Sequence, residues 1–116
     1  MKILIIDNSK REYELFCQLL PEYEIEYLEE VIDVDFSQYD LVVSDIVFDN
    51  VSKANTMRIL SKIKVPLIIY TSDRGEFDSD FCLLDKTISR KECIIKAVEY
   101  AIKNRRIKIR RGTLFG

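Results

Sequence analysis

A short apolar run that closes on an aspartate occurs twice in this chain, and that repetition constrains the fold more than any other feature. Lys2-Ile3-Leu4-Ile5-Ile6 ends at Asp7, and Asp40-Leu41-Val42-Val43-Ser44 ends at Asp45. A run without polar alternation is what a strand buried on both faces looks like, and such strands belong to parallel sheets. Between the two, Ser9-Lys10-Arg11-Glu12 reads as a capping box, and Tyr13, Phe16, Cys17 and Leu20 recur at helical spacing until Pro21 ends the run.

The rest of the chain continues the alternation. Glu24-Ile25-Glu26-Tyr27 interleaves charge with apolar residues, which predicts an edge strand with one wet face. Residues 52–64 read as a helix with Ala54, Met57 and Leu60 on one side, and residues 65–71 as a third buried strand whose Pro66 is tolerated near its start. Phe81-Cys82-Leu83-Leu84 is a fourth apolar run. Ser89-Arg90-Lys91-Glu92 is a second capping box, before a last helix with Ile94, Ile95, Val98, Ala101 and Ile102 as its buried stripe. Strand and helix in alternation predict a three-layer α/β fold, a doubly wound parallel sheet with helices on both faces.

With 116 residues, 47% of them hydrophobic, the chain is sized for one compact domain with its own core. No run of 18 apolar residues is present and the N-terminus meets charge too early for a signal peptide, so a cytoplasmic protein with no membrane contact is expected. Cys17, Cys82 and Cys93 lack CxxC spacing and lie in apolar surroundings, which predicts buried free thiols. The absence of histidine excludes histidine-based catalysis and leaves hard, oxygen-ligated cations such as Mg2+ as the metals to consider.

Charge is segregated. From Glu12 to Ser52 there are twelve acids and no lysine or arginine, whereas Lys103, Arg105, Arg106, Lys108, Arg110 and Arg111 face no acid at all. Of the net charge of −2, residues 101–116 contribute +6, so residues 1–100 carry −8. The division expected is a domain over residues 1–104 and a basic tail over 105–116 with a frayed end from Gly112. The tail suits nucleic-acid phosphates, a partner protein or the acidic half of a second copy, and equally an inert extension; no recognition motif accompanies it.

In open α/β sheets, ligands bind beyond the carboxyl ends of the strands. Asp7 and Asn8, Asp45, Thr71 and Ser72, and Lys86 close four of the predicted strands and would meet on one rim. Clustered carboxylates share a proton or hold a cation, a carboxylate can attack phosphorus, and a lysine with a hydroxyl can balance charge on phosphoryl oxygens.

The segments KILIIDN, YDLVVSD, PLIIYTS and CLLDK together resemble the receiver domain of bacterial response regulators over residues 1–104. The resemblance implies a five-stranded parallel sheet in order 2-1-3-4-5 and a signalling module, not an enzyme, that receives phosphoryl groups from a histidine kinase or phosphotransfer protein. It puts Asp45 in the place of the phosphoacceptor, and Asp7, Asn8 and the backbone carbonyl of Val47 in the places of further Mg2+ ligands. Thr71 and Lys86 take the places of the switch hydroxyl and its lysine. Departures are plain. Asn8 stands where a second acid is usual, Phe48-Asp49 where Met-Pro is usual, Thr87 where proline is common, and Leu83 where an aromatic residue is common. Residues 72–80 are too few for a full helical crossover, so the fourth helix is expected to be short or missing. Two functions follow: a stand-alone atypical receiver that takes a phosphoryl group on Asp45 and changes its association with a partner or a second copy, or a pseudo-receiver that binds through its charged surfaces without phosphorylation.

Overall fold

The computed structural model describes residues 1–72, 82–85, 91–103 and 114–115. In chain order the elements are β1 (Lys2–Ile6), α1 (Lys10–Leu19), β2 (Glu24–Leu28), a 3-10 turn (Phe36–Gln38), β3 (Leu41–Ser44), α2 (Lys53–Leu60), β4 (Leu67–Thr71), β5 (Cys82–Asp85), α3 (Lys91–Lys103) and β6 (Leu114–Phe115). The strands form one sheet in order β2-β1-β3-β4-β5-β6, and every pairing is parallel. The predicted order 2-1-3-4-5 is the observed one. A sixth strand joins it beyond β5, where the sequence predicts only a frayed end. The segment expected to hold a reduced fourth helix, residues 73–81, lies outside the described residues, as does the capping box at Ser89 and Arg90.

The apolar runs are buried because both faces of the sheet are covered. Ile3 and Ile5 of β1, Leu41 and Val43 of β3, and Ile68 and Tyr70 of β4 face α1 and α3, which contribute Phe16, Leu20, Val98 and Ala101. Leu4, Ile6, Val42 and Ile69 point the other way, onto Leu60 of α2 and the loop residues Val31, Tyr39, Ile46 and Phe48. Adjacent positions thus serve opposite cores, as the two-residue period of a strand requires. β2 is the edge strand that its charges predict, with Glu24 exposed and the rest half-buried; Lys2 pairs with Glu26 at 2.8 Å beside it.

Three local details differ from the sequence pattern. Ser9 is the N-cap of α1, but its side chain makes no capping bond; its backbone N–H donates to Asp7 Oδ1 at 2.9 Å. Glu12, the other half of the expected box, accepts instead from the Tyr70 hydroxyl. The second difference is in α2, which starts well, with the Ser52 side chain accepting from Asn55 N–H at 3.2 Å, but ends at Leu60 and not Lys64. The chain there tightens into bonds from Lys62 N–H to Ile59 and Ile63 N–H to Leu60, and Val65 precedes Pro66, which disfavours helical geometry. On this helix Thr56 and Leu60 are buried while Ala54 is exposed. Finally, Cys17 and Cys93 are free but only half-buried. No helix among the described residues is long and apolar enough to cross a membrane.

Candidate functional site

The strand register builds a polar row at the carboxyl rim. Ile5, Val43 and Ile68 are lateral neighbours across β1, β3 and β4. Two residues further along each strand come Asp7, Asp45 and Tyr70, on the same face by the period of two. The ladder reaches this row, since Asp45 N–H donates to the Ile6 carbonyl at 2.9 Å and Asp7 N–H to that of Leu28 at 3.0 Å. Asp7 is 1% exposed, Asp45 6% and Thr71 2%. Carboxylates are seldom buried to this degree without partners.

Backbone donors are among those partners. Asp45 Oδ1 accepts from the N–H groups of Ile46 at 2.6 Å and Val47 at 3.3 Å, and Asp7 Oδ1 from Ser9 N–H. These bonds fix the orientation of each carboxylate. Ser44, also buried, donates its hydroxyl to the Asp45 carbonyl at 2.6 Å. From the edge strand, the Tyr27 hydroxyl donates to the Asp7 carbonyl at 2.8 Å, while its ring stacks on Tyr13. Burial, followed by the charges of Glu29 and Asp7, raises the Tyr27 hydroxyl above its ordinary value.

Tyr70 completes the row, and the sequence patterns do not single it out. Its ring meets Phe16 edge-on at 5.4 Å between centroids, and its hydroxyl donates to Glu12 Oε2 at 2.9 Å. Burial chiefly, then the hydrogen bond to Glu12 and the charges of Glu12, Asp7 and Asp45, push this hydroxyl far above the usual tyrosine range. The available signal was alternation: a tyrosine next to last in a buried strand shares a face with the residues two before it.

No family model matches the chain, and no curated protein sequence matches it. Solved structures do. A two-component response regulator from Clostridium difficile has a TM-score of 0.71 at 24% identity, covering 90% of this chain and 97% of that one. The signal receiver domain of a putative Luxo repressor protein from Vibrio parahaemolyticus has a TM-score of 0.70 at 19% identity, covering 88% and 89%. Response regulator TrrA from Thermotoga maritima, solved in complex with Mg2+ and BeF, has a TM-score of 0.66 at 26% identity, covering 86% and 97%. The chain has the receiver-domain fold.

Within that fold the expected site residues are placed as follows. Asp7, Asp45 and Thr71 are buried at one rim. Asn8 is exposed, and Val47 is 51% exposed. Lys86 lies outside the described residues, but the register Thr71↔Asp85 brings β5 to the same rim, parallel to β4, immediately before it. No group of three His, Cys, Asp or Glu side chains suited to a metal occurs among the described residues. Two carboxylates, Asp7 and Asp45, are buried at this rim. Such a set fits Mg2+, which takes one or two carboxylates and completes its shell with water and phosphate oxygens. An open groove lined by Lys10, Tyr27, Leu28, Glu29, Glu30 and Ile32 adjoins the rim on the β2 side.

Proposed function

We propose that this protein is an atypical response-regulator receiver that accepts a phosphoryl group on Asp45 in a phosphorelay and thereby alters its binding to a partner. The observation that carries this reading is the burial of Asp45 beside Asp7 at the carboxyl rim of a receiver-fold sheet. The donor is a phosphohistidine of a histidine kinase or phosphotransfer protein. An Asp45 carboxylate oxygen attacks phosphorus in line; an O–P bond forms, the N–P bond breaks, and the leaving imidazole nitrogen keeps the electron pair and takes up a proton. Bonds from Ile46 and Val47 N–H hold the nucleophile in one orientation before attack. Thr71 and Lys86 contact the transferred oxygens as hydroxyl donor and counter-charge. Asp7, Asp45, Asn8 and the Val47 carbonyl would hold Mg2+, which would supply positive charge against the phosphoryl oxygens.

Incubation with acetyl phosphate and MgCl2, read by intact mass, tests this. Wild type should gain one phosphoryl group and Asp45→Ala none. One observation favours a second reading, the phosphorylation-independent pseudo-receiver: an exposed neutral Asn8 stands where the resemblance leads one to expect a second acid. A wild type that gains no mass, and whose amide spectrum is unmoved by MgCl2, would favour that module, acting through its acidic residues 12–52 and its basic tail. Partner binding that collapses between low and moderate salt would then assign the contact to phosphates of nucleic acid.

A further inference from the structure

We infer that Tyr27 and Tyr70 are positioning residues that clamp the turn between β1 and α1 from its two sides, and so hold Asp7 in register with Asp45. This inference rests on the reading of Asp45 as acceptor and adds residues that the resemblance does not supply. The turn from Asp7 to Ser9 carries two of the proposed metal ligands, and within it Ser9 N–H donates to Asp7 Oδ1. Ser9 contributes no side-chain cap. External support comes from two hydroxyls on the strands that flank β1 and β3. Tyr27 on β2 donates to the Asp7 carbonyl, at the start of the turn. Tyr70 on β4 donates across 58 positions of sequence to Glu12, in the first turn of α1 just beyond it.

Both rings are anchored apart from their hydroxyls, Tyr27 by stacking on Tyr13 and Tyr70 by its edge contact with Phe16. Each hydroxyl therefore has little freedom and transmits the position of its strand to the turn. A turn that has lost one acidic ligand at position 8 gains less order from a bound cation, which makes ordering by protein bonds matter more. Glu12 serves here as an acceptor. Among the described residues it belongs to no three-carboxylate metal cluster, and what the clamp requires of it is an oxygen at the end of its side chain.

The test uses conservative variants of the full chain. Tyr70→Phe and Tyr27→Phe keep the rings and remove the hydroxyls; Glu12→Gln keeps an oxygen acceptor for Tyr70, whereas Glu12→Ala does not. Two readouts are taken: the MgCl2 midpoint from the backbone amide signals of Asn8 and Ile46, and the rate of mass gain from acetyl phosphate. Each Tyr→Phe change should raise the Mg2+ midpoint and lower the rate at subsaturating Mg2+ by about tenfold, the size of one lost hydrogen bond to a charged or buried group. Glu12→Gln should stay near wild type, Glu12→Ala should follow Tyr70→Phe, and the two together should be no worse than either. If wild type gains mass but Tyr70→Phe and Tyr27→Phe match it in midpoint and rate, the inference is overturned while the acceptor reading stands. A fall in thermal midpoint alone would also overturn it, since that is what a merely structural bond would give. A wild type that never gains mass sinks both.

Discussion

The two faces of the sheet are covered by different means, and the difference shows in how each meets the carboxyl rim. On one face α1 and α3, of 10 and 13 residues, lay regular apolar stripes over Ile5, Val43 and Ile68. On the other, the described cover is an eight-residue helix, α2, supplemented by Val31, Tyr39, Ile46 and Phe48 from loops. The helical face continues upward into the polar row of Asp7, Asp45 and Tyr70, because the same helix that packs Phe16 on Tyr70 also brings Glu12 to its hydroxyl one turn earlier. The loop-covered face meets the row through backbone, where Ile46 N–H donates to Asp45 Oδ1. It also buries Thr56 completely, with no hydrogen-bond partner for its hydroxyl among the described residues.

The sharpest way to break this contrast is to remove a large side chain from each face. Phe16→Ala should cost about 4 kcal/mol of unfolding free energy in urea and shift the amide signals of Asn8 and Ile46, since Tyr70 loses its anchor. Leu60→Ala should cost about 3 kcal/mol and shift Ile46, which shares its cluster, yet leave the Asn8 signal in place. Movement of the Asn8 signal in both variants would show that the faces are not separable. Next in size, Tyr70→Phe should cost about 1.5 kcal/mol at neutral pH through the lost bond to Glu12. Its sign with pH is fixed by the raised hydroxyl value, above the ordinary 10.0. The folded state keeps a proton that the unfolded state releases, so this contribution is whole below pH 10 and is lost as pH climbs toward the folded value. Urea midpoints taken on the alkaline side should therefore fall less steeply in Tyr70→Phe than in wild type.

A smaller change of opposite sign is expected on the other face. Thr56→Val removes an unsatisfied buried hydroxyl without changing side-chain shape, and should stabilise by about 1 kcal/mol in the same assay. Destabilisation there would mean that the hydroxyl has a role the contrast does not allow it. At the bottom of the scale, Lys2→Met removes the ion pair with Glu26 at the exposed sheet edge, and the urea midpoint should not move measurably.

How much of this was legible beforehand varied with the kind of signal. Buried strands announce themselves by unbroken aliphatic runs, and the charge on Glu24 and Glu26 marks β2 as an edge, whereas the order of the other strands came from the resemblance to receiver domains. The aspartates could be placed at one rim because parallel strands end on the same side. Neither capping nor the extent of α2 was legible to the same degree. Whether Glu12 serves Ser9 or Tyr70 depends on a residue 58 positions away, and α2 ends early where its last turn tightens into bonds from Lys62 N–H to Ile59 and Ile63 N–H to Leu60. The loop residues Ile46 and Phe48, buried on the second face, follow no period and give no pattern to read.

By itself, then, the sequence determined the alternation of elements, the parallel sheet and the two aspartates at strand ends, because these depend on local burial patterns that each segment carries within it. Only the tertiary structure decided that Tyr70 stands in line with Asp7 and Asp45 and that its hydroxyl goes to Glu12. Both facts depend on strand register and helix placement, and those are settled by packing among segments that no local window contains.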